Sequence, residues 1–261
     1  MPEKWGMGQA KLVRPSTSGS SESVVFLSDL HIPFHDQEAV ASSLRLIKKL
    51  RPDRVVINGD VADFFQLSRF NTAHQRLDSL QEEIDEANAF RVNVRKSAPN
   101  ATIDETEGNH DSRIKTYVAA NARALASLSV LEPASLFRYA ELEIKNHPGA
   151  GFRLRKNFLV KHGTLIRQDA GASAKAEFNQ AGISGISGHT HRLAKYIKAG
   201  YTHREWSEQG CLCQLQPDYV VGAPNWVQGV AVGEFSTKSE AFSVELLQVI
   251  DGKLRYGGKE I

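Results

Sequence analysis

The chain has 261 residues, 41% hydrophobic and 24% charged, which suits one domain large enough to bury a substantial core. Its 32 basic and 30 acidic residues leave a formal net charge of +2, so no global electrostatic argument favours nucleic acid or an anionic membrane as partner. Cys211 and Cys213 are too few for a disulfide framework, no stretch approaches the ~20 apolar residues of a membrane span, and the N-terminus lacks a signal-peptide pattern; the expectation is a cytoplasmic protein with no membrane partner.

Residues 1–22 end in a polar, small-residue run, Pro15 to Ser21, and read as a flexible leader to a single domain over 23–261. Val24 to Leu27 is a continuous apolar run, the mark of a strand covered on both faces. Val40, Leu44, Ile47 and Leu50 recur at helical spacing, Pro52 closes that helix, and Val55 to Ile57 begins the next strand, giving a βαβ unit with parallel pairing. A longer helix then carries Leu77, Leu80, Ile84, Ala87, Phe90 and Val94 on one stripe, with Glu82, Glu83, Asp85 and Glu86 expected on a solvated face. Pro99 and Asn100 end it before a strand near 101–106, whose apolar pattern is interrupted by Asp104 and Glu105. Phe158 to Val160 and Ile183 to Ile186 are further strands, and the segments 219–221, 227–235 and 242–250 read as antiparallel β structure.

Five short segments follow these apolar runs: Asp29-Leu30-His31, Gly59-Asp60-Val61-Ala62-Asp63, Gly108-Asn109-His110-Asp111, His162-Gly163 and Gly188-His189-Thr190-His191. Ligands in open α/β sheets sit beyond the carboxyl ends of the strands, so loops from several strands can converge on one site. Asp29 and His31 alternate around Leu30, as His189 and His191 do around Thr190, and on an extended segment each pair points to one side. The carboxylate of Asp60 has two oxygens and can bridge two cations. Taken alone, each segment reads equally as a turn, a cap or a surface feature. Together, Asp29, His31, Asp60, Asn109, His162, His189 and His191 are seven O/N donors, enough for two ions sharing Asp60 with positions left for water and phosphate. A closed structural zinc site would instead favour thiolates, and neither cysteine belongs to this set.

The series D-x-H, GD-x-x-D, GNH-D, H and GH-x-H, spanning residues 29 to 191, resembles the calcineurin-like metallophosphoesterases. The resemblance implies an α/β fold, a four-layer αββα sandwich of two mixed β-sheets flanked by helices. It also implies two divalent metal ions, manganese first with Fe, Zn, Co or Ni as alternatives. One would be held by Asp29, His31, Asp60 and His191, the other by Asp60, Asn109, His162 and His189. His110 would assist phosphate binding and protonate the leaving group, oriented by Asp63. Two such ions would lower the pKa of a bridging water, and the resulting hydroxide would attack the phosphate in line.

Protein Ser/Thr phosphatases of that superfamily carry arginine directly after the second Asp of GD-x-x-D. Here Phe64 stands there, followed by Phe65. This argues against a protein phosphatase and offers Phe64, with Asn109 and His110, as a substrate-binding wall, unless the aromatic pair packs inward. Arg69, His74 and Arg76 could hold an extended phosphodiester, although a solvated helix start explains them as well, and Trp206, Tyr219 and Trp226 could form a lid, although core packing is the stronger reading. The expected activity is metal-dependent hydrolysis of small or nucleotide-like phosphate esters. A Mn-dependent DNA nuclease is the enzyme alternative, with nucleic acid as partner, and a metal-binding scaffold is the non-enzymatic one.

Overall fold

A computed structural model describes residues 19–68, 79–149, 151–217, 220 and 222–261. Its first sheet has six strands in the order β11-β10-β1-β2-β3-β4. These are β1 (Ser21–Leu27), β2 (Arg54–Asn58), β3 (Thr102–Thr106), β4 (Ile144–His147), β10 (Gly229–Ser236) and β11 (Phe242–Gln248). The second sheet runs β5-β6-β7-β9-β8, from β5 (Phe152–Arg155), β6 (Phe158–Val160), β7 (Ser184–Ser187), β8 (Leu193–Ile197) and β9 (Glu205–Gln209). A small pair, β12 (Arg255–Tyr256) and β13 (Lys259–Glu260), lies outside both sheets. Both sheets are mixed: β1 to β4 run parallel while β10 and β11 pair antiparallel, and β6, β7 and β9 run parallel between antiparallel β5 and β8.

The strands of the first sheet feed two cores by side-chain parity. Val25, Leu27, Val55 and Ile57 face helices α1 (Gln37–Leu50) and α2 (Leu80–Ser97), packing with Ala39, Leu46, Ile84 and Val94. Val24, Phe26 and Val56 face the other way and meet Phe158, Val160 and Ile186 of the second sheet. Beyond that sheet, α5 (Ala172–Ala181) covers Trp206 with Ala174 and Phe178. The four layers are therefore helices, sheet, sheet and helix, the αββα sandwich expected. Two further helices, α3 (Arg113–Asn121) and α4 (Pro133–Leu136), lie between β3 and β4.

Helix α1 starts at Asp36, whose side chain accepts the Ala39 N–H at 2.9 Å, and α2 starts in a capping box between Ser79 and Glu82. Strand β1 begins at Ser21, inside the segment expected as a leader, because Ser21 and Glu22 already pair with Ser236 and Phe235. Residues 1–18 and Leu77 fall outside the described residues, as does most of the segment 219–221. The acidic run on α2 is not uniformly solvated: Glu82, Asp85 and Glu86 are exposed, but Glu83 is buried and accepts the Phe64 N–H. Asp104 and Glu105 fit inside β3 because each is paired. Glu105 takes Arg91 at 2.5 and 2.9 Å and the Tyr139 hydroxyl at 2.9 Å, while Asp104 takes Arg54 and His147.

Candidate metal centre

All five segments named from the sequence follow parallel strands: Asp29 after β1, Asp60 after β2, Asn109 after β3, His162 after β6 and His189 after β7. Their loops are laced together by backbone bonds. Leu30 and His31 donate to the Asp60 carbonyl at 2.9 and 3.0 Å, and Asp63 N–H donates back to Ile32 at 3.0 Å. The Asp111 carboxylate collects the N–H groups of Asp60, Val61, Ala62 and Gly108 at 2.7 to 3.2 Å, fixing two of the loops against each other. Burial and the neighbouring Asp60 charge push Asp111 up to about 7, with the Gly108 N–H pulling the other way. The sequence carries no sign of this role for Asp111, because a carboxylate that binds only backbone leaves no pattern there.

Five of the seven candidate donors, Asp29, His31, Asp60, His189 and His191, have φ between 52° and 68°. Such left-handed conformations in non-glycine residues cost on the order of 1 kcal/mol or more each and persist only where surrounding bonds over-determine them. Two glycines show how close the loops approach. A Cβ on Gly108 would lie 2.0 Å from an Asp60 carboxylate oxygen, and one on Gly188 would lie 2.3 Å from an Asp29 oxygen.

The seven candidate donors converge. His31 Nε2 lies 3.8 Å from Asp29 Oδ1 and 3.0 Å from His191 Nε2, which is itself 3.3 Å from Asp29 Oδ1. His162 Nε2 lies 3.1 Å from Asp60 Oδ2 and 3.2 Å from Asn109 Oδ1, and a His189 nitrogen completes a group within 4.8 Å. Asp60 Oδ2 faces both groups, 3.6 Å from His31 Nε2 on the other side, while its Oδ1 accepts the His110 N–H at 2.8 Å.

Burial opposes charge throughout this cluster, yet the histidines outweigh it to hold Asp29 and Asp60 well below the ordinary carboxylate range. In return, against the same burial, Asp60 and Asp29 push His162 up to about 10, and Cys213 and Asp29 push His191 up to about 9. Burial and the His162 charge lower His189.

The donors fit divalent cations on a specific ground. His31 Nδ1 lies 2.9 Å from the Asp63 carboxylate and His191 Nδ1 lies 3.7 Å from Cys213 Sγ. If both Nδ1 protons point outward, the two Nε2 lone pairs face each other at 3.0 Å, and a cation placed between them would satisfy both.

His110 sits at the mouth of this cage. Its Nδ1 lies 3.1 Å from both the carbonyl and the carboxylate of Asp63. Its Nε2 is approached at 3.2 Å by Arg113 Nη2, while Arg113 Nη1 donates to the Asp63 carbonyl at 2.8 Å and to its carboxylate at 3.2 Å. Sequence reasoning missed Arg113. The signal was its place three residues after His110 at the start of α3, on the same face by helical spacing.

Phe64 does not line the site; of the two readings the sequence allows, it takes the inward-packed one. Its ring is fully buried and stacks on Phe137 at 6.0 Å, since its own left-handed backbone (φ 51°) turns the side chain into the helix-facing core. Trp206 is fully buried under α5, with its indole N–H donating to Ser187, whereas Trp226 does reach the site, its ring 4.3 Å from that of His191. Arg69, His74, Arg76 and Tyr219 lie outside the described residues. His35, His147 and His203 each face a carboxylate away from the cage: Glu86, Asp104 and Glu205.

Two clefts meet at Asn109. One of about 470 Å³ runs past Leu67, Arg113, Thr116 and Tyr117. The other, about 570 Å³, runs past Lys161, His162, Thr164 and Gln180.

Two mixed sheets packed face to face between helices, with carboxylates and imidazoles gathered at the carboxyl ends of their parallel strands, define a metallophosphoesterase architecture. The profile of the calcineurin-like phosphoesterases matches residues 23–221, and the chain belongs to that family, whose general chemistry is metal-dependent phosphoester hydrolysis. It is 26% identical over 259 residues to the Gene 54 protein of Mycobacterium phage L5, covering 92% of this chain and 98% of the phage protein. The Gene 54 protein of Mycobacterium phage D29 is likewise 26% identical over 258 residues, covering 91% and 98%. Among solved structures, Vacuolar Protein Sorting 29 from Cryptosporidium parvum matches with a TM-score of 0.51 at 14% identity, over 93% of this chain and 99% of that one, a likeness of fold. No helix among the described residues is long and apolar enough to cross a membrane.

Proposed function

We propose that the protein hydrolyses phosphodiesters of small or nucleotide-like alcohols at this centre with two divalent cations. Asp29, His31, Asp60 and His191 would hold one, and Asp60, Asn109, His162 and His189 the other. Carboxylate, amide and imidazole donors suit Mn²⁺, Fe, Zn²⁺, Co²⁺ and Ni²⁺, and the family resemblance puts Mn²⁺ first. Bound cations would supply polarisation of the phosphoryl oxygens and acidification of water.

The chain's own groups would do the rest. Asp63 holds His110 Nδ1, so proton exchange with a substrate falls to Nε2, the nitrogen facing Arg113. The guanidinium and a proton compete for that nitrogen. When Arg113 turns its Nη2 to a phosphate oxygen, Nε2 becomes free to carry the proton that the departing alkoxide needs. Arg113 thus supplies from α3 the positive charge that Phe64 lacks, so the residue at 64 no longer bears on the choice of substrate.

The observation that carries the diester reading is the pair of clefts meeting at Asn109. A phosphodiester has two organic arms, and each cleft can take one. The two unpaired, buried thiols fit a reducing compartment, and we place the protein in the cytoplasm. The test is a rate comparison of p-nitrophenyl phosphate, bis(p-nitrophenyl) phosphate and nucleotide esters with Mn²⁺. Cation-dependent hydrolysis with the diesters ahead is expected; a protein that binds its cations and turns over none of them refutes the proposal.

A further inference from the structure

The imidazoles aimed into the cage differ in what stands behind them. His31 is backed at Nδ1 by the Asp63 carboxylate at 2.9 Å and His162 by the Asn58 carbonyl at 2.8 Å, but His191 is backed by Cys213 Sγ at 3.7 Å. An imidazole that gives Nε2 to a cation carries its proton on Nδ1, and the acceptor of that proton sets the tautomer and the plane of the ring.

The sulfur is held where this bond requires it. Cys211 and Cys213 flank Leu212, where the chain bends; both sulfurs lie within 4.8 Å of each other and of a His191 ring nitrogen, while Leu212 enters the helix-facing core. Leu212 N–H donates to the Asp29 carbonyl at 3.0 Å, its own carbonyl accepts Asp36 N–H at 2.9 Å, and Gln228 Nε2 donates to the Cys213 carbonyl at 2.9 Å. Cys211 Sγ turns instead to the Val227 carbonyl at 3.6 Å, and Val227 N–H in turn donates to the His191 carbonyl at 2.7 Å. Trp226 closes the other side of the His191 ring. Both thiols are fully buried, so water cannot replace the sulfur as acceptor.

We infer that Cys213 is a positioning residue for cation binding: its sulfur accepts the His191 Nδ1–H and presents Nε2 toward the space shared with Asp29 and His31. The inference rests on the cation-binding reading above, and it gives the C-x-C pair, otherwise two small core residues, unequal parts. Cys213 acts on the cage, and Cys211 anchors the segment that carries it.

The test is Mn²⁺ titration of the metal-free protein, with free Mn²⁺ followed by electron paramagnetic resonance and folding checked by thermal unfolding. Outer partners of ligating histidines are worth about 10–100-fold in metal affinity. Cys213→Ala is expected to weaken one of two Mn²⁺ sites by about that factor and leave the other unchanged. Cys213→Ser, which keeps an acceptor, should recover part of the loss, and Cys211→Ala should bind both ions as the parent does. Unchanged affinity at both sites in a folded Cys213→Ala protein, or a Ser variant as weak as the Ala variant, overturns the inference. A parent protein that binds no Mn²⁺ would overturn the cation-binding reading itself, so the two failures are distinct.

Discussion

In the half of the cage built on Asp29, His31 and His191 every candidate donor is buried, whereas the half built on Asn109, His162 and His189 opens to solvent at Asn109 and at the half-buried His189. The buried half is tied to outer partners on three sides, at Asp63, Cys213 and the Leu212 backbone. The open half adjoins both clefts and the face where His110 and Arg113 meet. Under the proposed function, the difference would be a division of labour: one half to keep a cation, the other to meet a substrate. Asp60 belongs to both halves, and His110 to neither.

The contrast can be broken most severely at its shared member. Asp60→Asn halves the carboxylate charge between the groups and should cut hydrolysis roughly 10³-fold or more, since the polarising cations are worth several kcal/mol. It should also lower bound metal, measured by elemental analysis, in both halves; wild-type turnover would end the shared-carboxylate assignment. His110→Ala should lose roughly 10²- to 10⁴-fold in rate, most for esters with poor leaving groups, yet keep the same metal content. An equal loss for good and poor leaving groups would remove the proton-donor role.

Arg113→Ala tests the open half, while also removing one bond from Asp63. Loss of a charge-assisted bond to phosphate predicts a fall in kcat/KM of about 10–100-fold, with metal content intact. An unchanged kcat/KM would leave Arg113 as a support of Asp63 only.

The smallest effect lies behind the site. Burial, reinforced by the Asp63 charge and opposed by the Phe64 N–H, pushes Glu83 up to about 8 from its ordinary 4.5. Between those values the unfolded chain has lost the proton and the folded one keeps it, so stability falls as pH rises through that window, by on the order of 1 kcal/mol per pH unit. Glu83→Gln keeps an acceptor for Phe64 and cannot ionise, so its thermal midpoint should hold up better than the parent's from pH 5 to pH 8. Parallel midpoints over that range would show that Glu83 is ionised in the fold.

What the sequence disclosed follows from how locally each signal is written. Val24 to Leu27 and Val55 to Ile57 announce doubly covered strands because every position is apolar, and the donor segments stand out because each comes within a few residues of a strand end. Strand β9 was not legible: it reads Glu205-Trp206-Ser207-Glu208-Gln209, polar at four of five positions, and is nevertheless buried throughout. Its burial is set by partners distant in sequence, as when Glu208 accepts the Gly171 N–H. Glu83 escapes the pattern of α2 because its carboxylate turns inward to the Phe64 N–H, a partner on another loop that spacing along the helix cannot reveal. The parts of Arg113, Asp111 and Cys213 emerge only when loops from separate strands meet.

The bond network around the cage carries a consequence for assembly. His31 and His191 are 160 residues apart in the chain, and the Leu212 N–H donates to the Asp29 carbonyl beside them. A cation with affinity for that meeting point has no counterpart in the unfolded chain and therefore draws the equilibrium toward the completed fold, by about 2.7 kcal/mol at a hundredfold excess over Kd. Resistance to heat should then rise with the concentration of free metal, so that the ions clasp the first and last thirds of the polypeptide together.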